Sequence, residues 1–105
     1  MGLSSPPKLT PDQLSRLDDL RTRFSRRAME DRDALREAVA QQDRDRLQAL
    51  AHRLAGTAPS FGLTEVGDAA RMLDELLQGG AGDGEVEEAA RKLIGLLGRC
   101  EPQHD

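Results

Sequence analysis

The stretch Asp43-Arg44-Asp45-Arg46-Leu47-Gln48-Ala49-Leu50-Ala51-His52-Arg53-Leu54-Ala55-Gly56-Thr57-Ala58 decides the fold. Asp43 is a good helix N-cap, because its short carboxylate can accept from an amide left free in the first turn. At about 100° per residue, with Leu47 as origin, Leu50, Ala51, Leu54 and Ala58 all fall within about 60° of it. That is the apolar stripe of a helix lying on a core, with polar residues over the rest of its surface. Pro59 removes one backbone donor and strains the turn before it, so this helix is expected to distort or end near Gly62.

Three further segments share the pattern. Upstream, Thr10-Pro11-Asp12-Gln13 combines a capping threonine, a proline at the first helical position and a glutamine able to close a capping box. Leu14, Leu17, Leu20 or Arg21, Phe24, Ala28, Leu35, Ala38 and Val39 follow at helical spacing. The stripe weakens between Met29 and Asp33, which leaves open one helix of about 30 residues or two joined there. Downstream, residues 64–78 turn Val66, Ala69, Ala70, Leu73, Leu76 and Leu77 inward, with Thr64 as the expected cap. The glycine-rich run 79–84 reads as a flexible turn. From about Glu85 to Arg99, the last segment offers Val86, Ala89, Ala90, Leu93, Leu96 and Leu97 to the core.

One-sided helices of this length are not stable alone. Four of them with short connections predict an all-α, antiparallel, up-and-down four-helix bundle over residues 10–100. Residues 1–9 are expected to be a flexible lead and 101–105, which include His104, a fraying tail. The chain of 105 residues has room for one domain. Its core must be aliphatic, since Phe24 and Phe61 are the only aromatics.

Composition narrows the functional classes. The net charge is -4, with 11 basic and 9 acidic groups in residues 1–55 against 4 and 10 in residues 56–105. Basic and acidic residues alternate instead of forming a block, so nucleic acid is a poor partner. No apolar stretch is long enough for membrane insertion, and residues 1–9 lack a signal-like pattern. Cys100, the one cysteine, cannot form an internal disulfide, which fits a cytoplasmic protein, and it is expected as a partly buried thiol in the last helical turn. The 79–84 run lacks the Lys-Ser/Thr of a nucleotide-binding loop. His52, His104 and Cys100 form no metal-ligand pattern.

His52 stands apart from the rest. It falls about 140° from Leu47, clear of the apolar arc, on a side shared with Gln48, Ala55, Gly56 and Pro59. It is therefore expected to be exposed on a rigid helix. Histidine, with an ordinary pKa near about 6.5, keeps a neutral fraction able to attack phosphorus at neutral pH. Gly56, one turn on, either softens the helix and eases packing or clears an approach for another protein. No acidic residue adjoins His52 on its own helix, so no catalytic dyad can be assigned.

The run Ala51-His52-Arg53-Leu54-Ala55-Gly56-Thr57-Ala58-Pro59-Ser60-Phe61-Gly62 resembles the signature of the histidine-containing phosphotransfer domain. His52, Leu54, Gly56, Thr57, Ala58, Phe61 and Gly62 match it. Asp43, Leu47 and Ala51 before it, and Leu73-Asp74 after it, look like the surrounding pattern, so that the resemblance spans about Leu20 to Leu97. It implies a four-helix bundle in two-component signalling, in which His52 accepts a phosphoryl group from a response-regulator receiver aspartate or a hybrid histidine kinase. The group would then pass to another receiver aspartate. The resemblance implies no cofactor on this chain, Mg²⁺ in the partner receiver and no kinase activity of its own with ATP, while four apolar segments within the one chain predict a monomer.

The family usually has lysine where this chain has Ala55, and Arg53, about 100° from His52, does not replace it by projection. Gln48, one turn before His52, can bond a phosphoryl oxygen, so Gln48, Ala55 and Gly56 form the expected phosphate neighbourhood. The expected docking surface comprises Arg44, Gln48, Arg53, Ala55, Gly56, Pro59, Ser60 and Phe61. Phe61 is read either as a helix-end core anchor or as a partner contact. Two other readings stay open: a degenerate receiver-binding or helical interaction module that takes no phosphate, and the dimerisation and phosphoacceptor domain of a histidine kinase.

Overall fold

Helix formation begins at Thr10, whose extended backbone (φ −71°, ψ 159°) stops the first helix from running further back. The computed structural model describes residues 10–100. The expectations for the lead 1–9 and the tail 101–105, His104 among them, lie outside the described residues. The Thr10 hydroxyl accepts from the Gln13 amide at 3.2 Å while the Gln13 side chain accepts from the Thr10 amide at 2.9 Å, and Pro11 takes the first helical position. The capping box expected from the sequence is formed.

Helix α1, Pro11–Ala40, is one helix of 30 residues with a bend and no break. The weak point of its stripe holds because Asp31, buried at 5% exposure, is paired with Arg53 from the next helix and lies 3.9 Å from the Arg27 Nε one turn back. Helix α2 is Arg44–Thr57, capped by Asp43, which accepts from the Arg46 amide at 3.1 Å. Pro59 distorts its end as expected: the chain tightens into a 3₁₀ turn, Ala58–Phe61, and stops at Gly62, whose φ of 76° suits a residue without Cβ. Helix α3, Thr64–Gln78, starts on Thr64 itself, so Thr64 is its first helical residue and not its cap. Leu63 holds the cap position without a side-chain bond. Helix α4, Asp83–Gly98, begins about two residues earlier than its apolar pattern suggests, because Asp83 and Glu85 suit a helix N-terminus.

Each helix packs on its two neighbours, α1 on α2 and α4, α3 on α2 and α4, and the diagonals do not meet. Together they form an all-α four-helix bundle with no strand among the described residues. Each helix contributes one fully buried alanine (Ala38, Ala51, Ala70 and Ala90), which lets the backbones approach closely. Leu35, Leu73, Leu93 and Leu97 are the largest enclosed side chains. Cys100 is half-buried just past α4, with burial raising its thiol pKa.

The expected core reached too far along α1. Leu14, Leu17 and Leu20 are exposed at 49%, 38% and 51%. The reason is length: α1 spans about 45 Å, whereas helices of 14–16 residues span about 21–24 Å, so its first turns outrun every neighbour. No helix among the described residues is long and apolar enough to cross a membrane.

Candidate functional site

The apolar stripe of α2 (Leu47, Ala51, Leu54) faces inward, and this turns His52 outward, with its side chain 78% exposed. Rotation of α2 is held from two sides. On one side His52 Nδ1 lies 3.0 Å from Asp74 Oδ2 of α3, and on the other the Arg53 guanidinium meets Asp31 of α1.

Asp74 is buried at 7% exposure within the inward face of α3. Its Oδ1 accepts from Gln78 Nε2 at 3.1 Å. Burial alone would raise the Asp74 pKa, but hydrogen bonds from His52 and Gln78, attraction to the imidazole when charged, and the Gln48 amide bring it below the ordinary carboxylate value. Asp74 is therefore ionised at neutral pH and can only accept. The Nδ1 of His52 must then carry the proton it donates, which leaves the Nε2 lone pair of the neutral ring free. Asp45, Gln48, Ala49, His52, Asp74 and Gln78 line a shallow groove of about 400 Å³. Among the described residues, no group of three or more His, Cys, Asp or Glu side chains is arranged to hold a metal.

The other residues singled out from the sequence fall into three places. Gln48 shares the groove with His52, and Ala55 and Gly56 lie one turn further along α2. A Cβ built on Gly56 meets nothing within 4 Å, so close packing does not require this glycine. Pro59 and Ser60 are exposed in the 3₁₀ turn, and Pro59 packs on Gly67 of α3, where an added Cβ would stand 2.9 Å from the proline Cγ. Arg53 and Phe61 belong to the opposite flank, toward α1, where Phe61 is 53% exposed yet stacks on Phe24 at a ring separation of 4.6 Å. Arg44 lies two turns before His52 and ties α2 to the α3–α4 connection, bonding Asp83 at 2.9 Å and the Ala81 carbonyl at 2.8 Å.

Asp74 and Gln78 were not assigned from the sequence as partners of the histidine. One signal was available: Asp74 interrupts the apolar arc of α3 between Leu73 and Leu77, and a buried carboxylate needs a partner. Periodicity says that such a partner exists but not which helix supplies it.

An exposed imidazole with one nitrogen tethered and the other free, standing on the α2 surface of a four-helix bundle, is equipped to take an electrophile from another molecule. No curated protein and no solved structure matches the chain significantly. The family model described as Hpt domain matches residues 19–100, which take in all of α2, α3 and α4 and most of α1, and the chain belongs to the Hpt domain family.

Proposed function

We propose that this chain is a phosphorelay intermediate in which Nε2 of His52 accepts a phosphoryl group from a receiver-domain aspartate and returns it to another. The observation that carries this reading is the Nδ1–Asp74 hydrogen bond, which leaves Nε2 outward and unprotonated in the neutral ring. In the forward step the Nε2–P bond forms as the acyl-phosphate O–P bond of the partner breaks, and its electron pair leaves with the partner carboxylate. The Nδ1 proton stays in place. The ring thereby gains positive charge, which the ionised Asp74 beside it offsets.

Geometry, not proton transfer, is the main contribution of this chain: a nucleophile fixed on a helix avoids much of the cost of orienting it at the moment of attack. The partner receiver would supply Mg²⁺ and the acidic groups that bind it. The shallow groove and the short side chains of half-buried Ala55 and exposed Gly56 suit docking of a second protein better than enclosure of a small substrate.

Incubation with a panel of phosphorylated receivers and Mg²⁺ tests the reading. Acid-labile label on the natural chain, located at His52 by mass spectrometry at neutral pH and lost in His52→Ala, is the expected result. Label on another residue would reassign the site. Binding of receivers without any label across the panel would favour the non-phosphorylated interaction module.

A further inference from the structure

We propose that Arg71 of α3 is the cation that binds the phosphoryl group on His52, reaching across the α2–α3 groove beside Ala55. This rests on His52 being the phosphoacceptor. Two contacts fix the antiparallel register of the two helices: His52 Nδ1 against Asp74 Oδ2 at 3.0 Å, and Pro59 against Gly67, where an added Cβ would stand 2.9 Å from the proline ring. Ala55 is three residues after His52 and four before Pro59, while Arg71 is three before Asp74 and four after Gly67. The two positions are therefore level with each other, one turn from the histidine.

The charge around the ring favours such a group. A phosphoryl group brings about two negative charges. The groove around the ring holds two carboxylates, Asp74, which the charge gained by the ring balances, and Asp45, and its remaining polar groups are the neutral amides of Gln48 and Gln78. The cations of α2 are engaged elsewhere: Arg44 with Asp83, Arg46 with Glu37 and Arg53 with Asp31. Arg71 is exposed and makes no ion pair or side-chain hydrogen bond among the described residues, although Asp68 and Glu75 lie three and four positions away on its own helix. Residues three apart on a helix have Cβ atoms about 5–6 Å apart, so Arg71 starts one turn from Asp74, and a guanidinium fork matches two phosphoryl oxygens. Ala55 and Gly56 leave the path open, since they place no long side chain between the two helices.

The test uses the full chain labelled in two ways, by a phosphorylated receiver with Mg²⁺ and by phosphoramidate, a small phosphodonor that needs no docking. Arg71→Ala should lower phosphohistidine occupancy and lifetime by about 3–10-fold with either donor, and this loss should shrink as salt rises. Arg71→Lys should keep most of the occupancy, and Ala55→Lys added to Arg71→Ala should restore it by placing the cation on the facing helix. Helicity and thermal midpoint should not change in any of these variants. Wild-type occupancy in Arg71→Ala, or a loss that neither lysine variant recovers, overturns the role of Arg71. A loss confined to the receiver would make Arg71 a docking residue and overturn it equally. No label on the natural chain from either donor removes the phosphoacceptor reading as well, whereas label on His52 that is indifferent to Arg71 leaves that reading standing.

Discussion

Asp74→Asn isolates the charge from the geometry at the histidine. Asparagine has the shape of aspartate, and its carbonyl can still accept the Nδ1 proton of His52. Its amide then faces Gln78, which is exposed and free to turn its own carbonyl inward. The tautomer is kept and the negative charge beside the ring is lost. A hydrogen bond to a charged group contributes about 1.5–3 kcal/mol against about 0.5–1.5 for a neutral pair, a difference of about 1–1.5 kcal/mol. Because the imidazole is 78% exposed, water screens part of that difference, and a slowing of about 3–10-fold is expected. Asp74→Ala removes the acceptor too and should slow transfer further, by about 10–100-fold. The assay is single-turnover transfer from a receiver that labels the natural chain, with circular dichroism as the check on folding. If both variants stay folded and transfer at the natural rate, the Nδ1–Oδ2 bond has no part in the reaction. The same substitution has a stability signature. The folded Asp74 pKa lies below its unfolded value, so its contribution is fully present above about pH 4 and is lost as pH falls through the folded value. The stabilities of the natural chain and Asp74→Asn should therefore differ at neutral pH and converge in acid.

Gly56→Ala should raise stability by about 0.5–1 kcal/mol, read as a higher thermal midpoint, because helix favours alanine and the new methyl has open space. Transfer slowed by this stabilising change would identify the bare helix surface as an approach for the partner, and unchanged transfer would show that the glycine serves no such purpose. Gly67→Ala should do the opposite and cost about 1–3 kcal/mol, since its methyl would press on the Pro59 ring and displace the turn that ends α2. Chemical denaturation measures it, and a stability gain there would contradict the α2–α3 contact. Arg53→Ala should destabilise by about 1–3 kcal/mol, because it leaves buried Asp31 with only the more distant Arg27, although the exposure of Arg53 softens the loss. Asp31→Asn should cost little or nothing at neutral pH. Burial raises the Asp31 pKa despite Arg53 and Arg27, so the ionised form is a burden on the fold that eases only as pH drops toward the carboxylate range.

The four helices were legible because each has an apolar stripe at helical period, and their boundaries were legible where chemistry forces them: Thr10 with Gln13, Asp43, and Pro59 followed by Gly62. Errors arose where periodicity is silent about neighbours. Leu14, Leu17 and Leu20 keep the helical period that Leu35 resumes, and nothing in α1 itself says that the other helices are half as long. Thr64 could cap or begin a helix, and only the backbone at Leu63 decides between them. The exposure of His52 followed from the angle between it and Leu47, whereas its tether did not, because the partner comes from a helix 22 residues away.

Two buried carboxylates explain how the site is held. Asp31 and Asp74 each interrupt an apolar face, on α1 and α3, and each is buried. They pair with consecutive residues of α2, Arg53 and His52, separated in sequence by the same 22 positions in opposite directions. Consecutive helical residues point about 100° apart, so the two pairs pull on α2 from different flanks and oppose its rotation about its own axis. The apolar stripe of a helix sets its rotation only coarsely, since the hydrophobic effect is non-directional. Directional bonds to charged groups cannot follow such rotation without breaking. A buried ion pair is a poor source of net stability, so its effect here lies in orientation: Arg53–Asp31 fixes the angle at which α2 presents His52, while Asp74 fixes which ring nitrogen is presented.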